Sequence, residues 1–200
     1  MAPQLYLITP AAADPATFPA TLMAVLNAAE VSALLVHRGA ADEATYAKLA
    51  AAVINVGQGA GCAVLLEDDV ALAKRLGADG VHITGGAKAL KDAIGALKPA
   101  LIVGAGKAET RHDAMAFGEM DVDYVFFGPI DGAADTQAGE LAEWWADTFE
   151  IPAVFSDATA TPETADARGA EFLALSASIW SAKDPVAAMA AIAAALGETA

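Results

Sequence analysis

The chain has one cysteine, few basic residues and no long apolar run, and each shortage removes a class of protein. Cys62 alone cannot form an internal disulfide, which fits a reducing compartment. Lys and Arg together number 11 against 26 Asp and Glu, giving a formal net charge of -15. A surface of that sign repels polyanions, so nucleic acid and anionic membrane are not expected partners. No stretch reaches the ~18–20 uninterrupted apolar residues that a membrane span needs. The opening Met1-Ala2-Pro3-Gln4 lacks the basic region that starts a signal peptide. The expectation is an acidic, soluble, cytoplasmic protein.

What the chain does have is apolar mass. Its 200 residues are 56% hydrophobic and 18% charged, which is enough to bury a large core and too apolar for disorder. That length makes a single domain spanning residues 1–200 the default, and no linker or low-complexity segment divides it. Short apolar runs at 5–9, 33–36, 63–66, 80–83, 101–104, 124–127, 153–155 and 172–175 read as eight strands. They show little polar alternation, as strands buried on both faces do. Each is followed by a segment that reads as helix, for example 43–56, 69–76, 108–117 and 185–196. In the last, Val186, Met189, Ile192 and Leu196 fall on one side, and Asp184-Pro185 supplies a cap and a first-turn proline. Eight strand–helix units most simply close into a (β/α)8 TIM barrel, an α/β fold. An open doubly wound sheet is the alternative, but Thr9-Pro10-Ala11-Ala12 stands where its glycine-rich phosphate turn belongs. The longest loop is expected at 131–139.

Five segments carry a family resemblance. They are Leu5-Tyr6-Leu7-Ile8-Thr9, Gly77-Ala78-Asp79-Gly80-Val81-His82, Asp123-Tyr124-Val125-Phe126-Phe127-Gly128-Pro129-Ile130, Thr161-Pro162-Glu163 and Gly169-Ala170-Glu171-Phe172. In this order and spacing the chain resembles the thiamine-phosphate synthase family, including its thiazole tautomerase branch. The resemblance implies a (β/α)8 barrel, in agreement with the strand count. It also implies transferase chemistry of thiamine biosynthesis. An aminopyrimidine pyrophosphate ionises, magnesium and basic side chains hold the departing pyrophosphate, and a thiazole phosphate nitrogen attacks. Such a site needs carboxylates for the metal and Lys or Arg for the leaving group.

Against that pattern the chain departs at most chemical positions. His37 stands where the family has the arginine of the second strand, and Gly39 where it has a lysine. Arg38 lies one place along, where a strand side chain points to the opposite face. Asp68 matches the family's metal ligand, Asp69 replaces an arginine, and the partner ligand falls on Ala87. The fifth strand's end reads Gly104-Ala105-Gly106-Lys107-Ala108: Gly106 stands for a serine, Ala108 for the tautomerase histidine, and Lys107 is a new cation nearby. The phosphate segment after Gly128-Pro129-Ile130 has become Asp131-Gly132-Ala133-Ala134-Asp135-Thr136-Gln137. Ser156-Asp157-Ala158 replaces a Gly-Gly turn, and the family's serine near strand eight falls on Ala177. Each lost charge-assisted contact is worth roughly 1.5–3 kcal/mol, so losing several removes many powers of ten in rate.

The candidate site follows from these positions. His37, Arg38 and Lys107 are the catalytic candidates, with a solvated loop as the plain alternative for Lys107. Gly104, Gly128, Ser156, Ser176 and Ser178 are the substrate-binding candidates, the serines lying where barrels often seat a phosphate. Asp68 is the magnesium candidate by resemblance, unless Glu67-Asp68-Asp69 merely caps the next helix. His82 and Cys62 read as core. Trp144 and Trp145 read as core or subunit packing, so a homo-oligomer stays open. Three functions remain: a synthase-type enzyme on a small phosphorylated heterocycle, a non-catalytic ligand-binding or partner protein on the same barrel, or new chemistry using His37, Lys107 and the acidic triplet.

Overall fold

The computed structural model describes residues 2–132 and 136–198. Eight parallel strands form its centre: β1 (Gln4–Ile8), β2 (Ala33–Val36), β3 (Ala63–Glu67), β4 (Gly80–Ile83), β5 (Ile102–Ala105), β6 (Tyr124–Phe127), β7 (Ala153–Ser156) and β8 (Phe172–Leu175). They pair in sequence order, and β8 returns to β1 with Leu5 opposite Leu173 and Leu7 opposite Leu175. Closure leaves no free edge, so the barrel is confirmed and the open sheet is excluded. Around it lie α1 (Phe18–Leu26), α2 (Glu43–Gly59), α3 (Val70–Leu76), α4 (Gly86–Leu97), α5 (Arg111–Gly118), α6 (Thr136–Thr148), α7 (Ala177–Trp180) and α8 (Pro185–Glu198). Among the described residues no helix is long and apolar enough to cross a membrane.

The helices start where short polar side chains can satisfy free backbone donors. Asp42 accepts from Thr45 N at 2.8 Å, Asp69 from Leu72 N at 2.9 Å and Asp184 from Ala187 N at 3.0 Å. Two features differ from expectation. Residues 157–171, after β7, form turns and no helix; Asp157, Thr161 and Thr164 bond to nearby backbone and side chains there, and Pro162 interrupts the run. The connection after β6 is shorter than 131–139, because α6 already begins at Thr136; residues 133–135 lie outside the described part.

Alternation along each strand sorts the core into two layers. Residues such as Leu7, Leu34, Val64, Val81, Val103, Val125 and Leu173 face the helices. Tyr6, Ile8, Leu35, Leu65, Tyr124, Phe126, Val154 and Ala174 fill the barrel. Cys62 is buried just before β3, as expected. Trp145 is also core; it is on the buried face of α6 and its indole donates to Ile151 O at 2.8 Å.

At the strand starts an acidic residue recurs immediately before β4, β6 and β8. Asp79 accepts from Val64 N at 2.7 Å, Asp123 from Val103 N at 2.7 Å and Glu171 from Ala153 N at 2.7 Å. Each carboxylate thus fastens the first turn of its own strand to the preceding strand. These are the acids of three of the segments that carried the family resemblance, and their work is structural. Asp79→Ala strands the Val64 N–H in a half-buried place and is expected to cost about 1–3 kcal/mol, read as a lower urea midpoint with an unchanged slope.

Candidate functional site

Strand alternation and pairing decide which side chains meet at the barrel mouth. Leu35 pairs with Leu65 and Val36 with Leu66, so the next step sets His37 beside Glu67. Both belong to the inward-facing set. His37 Nδ1 lies 2.7 Å from a Glu67 carboxylate oxygen, and the same oxygen accepts the Arg38 N–H at 2.7 Å. The two side chains are 13% and 14% exposed. Behind them Tyr46 of α2 fixes the strand ends: its hydroxyl donates to Val36 O and accepts from Glu67 N, each at 2.9 Å. Thr9 at the end of β1 accepts from His37 N at 3.0 Å. Burial opposes the charge on Glu67, but the bonds from His37 and Arg38 N–H outweigh it and hold the carboxyl below its ordinary range.

Beside this pair opens a cavity of about 770 Å³ over the carboxyl ends of β2 to β6. His37, Glu67, Thr84 and Lys107 line it together with Phe126 and Gly128. Lys107 holds a left-handed backbone, φ 58°. Gly128, at φ 100°, lets the chain pass Ser156 O, where an added Cβ would stand 2.8 Å away.

The other candidates lie elsewhere. Arg38 turns outward, its guanidinium 5.1 Å from the Tyr46 ring centre and 3.7 Å from Asp69. Asp68 is exposed and committed to Thr84, accepting the backbone N–H at 2.7 Å and the hydroxyl as well. Ser156 is buried and donates to Pro129 O at 2.7 Å. Ser176 is buried at the start of α7. Ser178 donates its N–H to Ala158 O at 2.6 Å, and its hydroxyl is enclosed without a partner. None of these five lines the cavity, and neither does Gly104.

The carboxylates at the end of β3 are engaged by protein groups. Asp68 is turned to Thr84, Glu67 to His37 and Arg38, and residue 87 is alanine. Among the described residues no group of three or more His, Cys, Asp or Glu side chains is arranged to hold a metal ion. Asp69 caps α3.

Below the mouth runs a polar chain that the sequence reading treated as plain core. Glu67 pairs with His82, His82 with Gly104 and Gly104 with Tyr124 in successive strands. Gly104 must be glycine here, because a Cβ would fall 1.9 Å from the Tyr124 ring. Through that gap Tyr124 reaches His82 Nδ1 at 2.9 Å, while Tyr6 bonds to the Tyr124 hydroxyl at 3.0 Å. Tyr6, Tyr124 and His82 Nδ1 thus form one continuous hydrogen-bonded chain, which leaves the far ring nitrogen of His82, Nε2, outside it. That nitrogen is buried without a partner, 2.5 Å from where a Cβ on Gly106 would sit. A serine at 106 would collide with this ring position.

The fold and the mouth define a class: a (β/α)8 barrel with a cavity at the carboxyl end of its strands, where such barrels do their chemistry. A family model described as thiamine monophosphate synthase matches residues 5–179. The chain is 35% identical to the thiamine-phosphate synthase of Hyphomonas neptunium over 198 residues, covering 92% of this chain and 89% of that protein. It is 34% identical to that of Rhodospirillum centenum over 185 residues, covering 88% and 89%. A solved structure, thiamine phosphate pyrophosphorylase from Pyrococcus furiosus, has the same fold with a TM-score of 0.81 at 18% identity, covering 98% and 96% of the two chains. The chain belongs to the thiamine-phosphate synthase family.

Burial pushes the His82 imidazole down to about 4 from its ordinary 6.5. The unfolded chain therefore takes up this proton first as pH falls, so stability is complete above about 6.5 and is lost toward 4. From about pH 7 to about pH 5 the group is expected to remove roughly 2 kcal/mol. Urea unfolding of wild type and His82→Gln at both pH values checks this: the variant should lose correspondingly less.

Proposed function

We propose that this barrel binds a small phosphorylated heterocycle in the mouth over β2 to β6 and does not carry the magnesium-dependent synthase step. One observation carries the reading: Glu67, which lines the mouth, and Asp68, beside it at the end of β3, are both spent on protein partners. Glu67 holds His37 and the Arg38 N–H, and Asp68 holds Thr84. A departing pyrophosphate would meet Lys107 and His37 as the basic groups among the cavity-lining residues, with Glu67 and Glu109 beside them. Charge developing on a leaving group needs preorganised cations, and this wall is short of them. Arg38, the other nearby cation, faces Asp69.

A second reading is synthase turnover itself. It is favoured by the similarity to the Hyphomonas neptunium synthase along 92% of the chain. The two separate in one assay. With aminopyrimidine pyrophosphate, thiazole phosphate and magnesium, no pyrophosphate release above the uncatalysed background is expected. An aminopyrimidine monophosphate or thiazole phosphate at about one hundred times its Kd should add about 2.7 kcal/mol, a Tm rise of roughly 5–10 °C. Sustained pyrophosphate release would establish the second reading. No Tm shift with either compound would mean that the mouth serves a different ligand.

A further inference from the structure

The His37–Glu67 pair has a property that neither the family pattern nor the proposed function uses. Glu67 is held as an acceptor: one of its oxygens takes both the Arg38 N–H and His37 Nδ1 at 2.7 Å. An ionised carboxylate has no hydrogen to give, so Nδ1 must be the nitrogen that carries one. In the neutral ring Nε2 is then left with its lone pair. Among the described residues no hydrogen-bond partner meets that nitrogen; the other side of His37 is engaged through its backbone N–H, which donates to Thr9. His37 lines the cavity; Glu67 holds its ring, Thr9 holds its backbone N–H, and Tyr46 ties together the strand ends that carry His37 and Glu67. A carboxylate that sets the tautomer of a histidine and leaves its far nitrogen free is the usual way to aim an imidazole at a ligand.

We propose that His37 Nε2 is a hydrogen-bond acceptor built into the cavity floor, aimed by Glu67 at the N–H of a ligand. The rest of the wall narrows the ligand class. Phe126, Pro129, Ile130 and Leu141 offer an apolar side suited to a flat ring, and Lys107 offers a cation for an anionic group. The chemistry that fits is a heteroaromatic ring carrying an amino group and a phosphate. A ring whose nitrogen only accepts would set a lone pair against a lone pair. The inference rests on the reading that this cavity holds a phosphorylated heterocycle, and it selects an amino-substituted ring within that class. His37 is the contacting residue and Glu67 is its positioning residue.

The chain has three histidines, at 37, 82 and 112, so the imidazole nitrogens can be resolved one by one with labelled histidine in nitrogen-15 spectra. At about pH 8, above the ordinary histidine range, His37 is expected as the Nδ1–H tautomer, the reverse of the form free imidazole side chains prefer. Glu67→Gln should return His37 toward the Nε2–H form. A wild-type His37 with hydrogen on Nε2 at that pH, as the other tautomer or as imidazolium, overturns the proposal. This measurement needs no ligand, so it stands even if the cavity binds neither family compound. For binding, an aminopyrimidine monophosphate is the probe and thiazole phosphate the control without an N–H. The amino compound should bind about tenfold tighter, one good hydrogen bond. His37→Asn keeps a donor for Glu67 but has no distal nitrogen; it should erase that preference while the Tm of the free protein stays near wild type. Equal binding of the two compounds, or an unchanged preference in His37→Asn, would likewise overturn it.

Discussion

β8 meets β1 in parallel register, with Tyr6 opposite Ala174, and that closure decides on every strand which alternate residues see the barrel axis. Once the ring is closed, a side chain cannot change sides without shifting all the register around it. His37 and Glu67 therefore meet because Leu35 and Leu65 meet one step below. Arg38 is turned outward by the same rule and finds Tyr46 and Asp69 instead. The polar chain from His82 to Tyr6 exists because Gly104, on the strand between His82 and Tyr124, has no side chain to block it. The mouth is thus a consequence of the barrel's register.

Within the mouth, electrostatics separates this chain from the pattern its family suggests. A pyrophosphate site concentrates positive charge; here Glu67 projects into the cavity while Arg38 is drawn to the outside. The one carboxylate matching a family metal ligand, Asp68, has a left-handed backbone (φ 50°) and spends its oxygens on Thr84. That bond ties the end of β3 to the end of β4, so Asp68 has structural work whatever else occupies the mouth. The replaced arginine position is not empty of chemistry either. His37 has exchanged a fixed cation for a ring whose polarity its neighbour sets.

Much of this was legible in the amino-acid sequence, and the physical reasons differ by element. Strands buried on both faces leave short unbroken apolar runs, and all eight were placed within one residue at either end. The missing helix after β7 was not legible, because Thr, Asp and Ala in residues 157–171 suit a helix start as well as a chain of turns. Arg38 was named a catalytic candidate although strand parity turned it from the mouth, and it faces Tyr46 and Asp69; Asp69 caps α3, one of the two readings left open for the acidic triplet. Glu67 was seen only as one of three consecutive acids. Its pairing with His37 needs the β2–β3 register, which a single strand does not contain. The two shared inward positions, Leu35 to His37 and Leu65 to Glu67, were the available signal. The Tyr6–Tyr124–His82 chain was hidden for the same reason, since its members are far apart in sequence and only the closed ring brings them together. Ser156, Ser176 and Ser178 were chosen from where barrels commonly bind phosphate; Ser156 donates to Pro129 O, the Ser178 hydroxyl is enclosed, and Ser176 does not line the cavity.

The family resemblance and the altered mouth are compatible because they depend on opposite ends of the same strands. Asp79, Asp123 and Glu171 sit at the strand starts and each holds a backbone N–H of the neighbouring strand. Those bonds, together with the two apolar layers, secure the barrel without reference to any ligand. The loops at the carboxyl ends carry no comparable share of the core, so residues there can be exchanged at small cost to the fold. Tyr46 marks where that freedom stops. Its hydroxyl joins the last carbonyl of β2 to the last amide of β3, so replacing it would leave backbone groups unpaired and release the carboxylate that aims His37. The fold and the candidate site are coupled through that single hydroxyl.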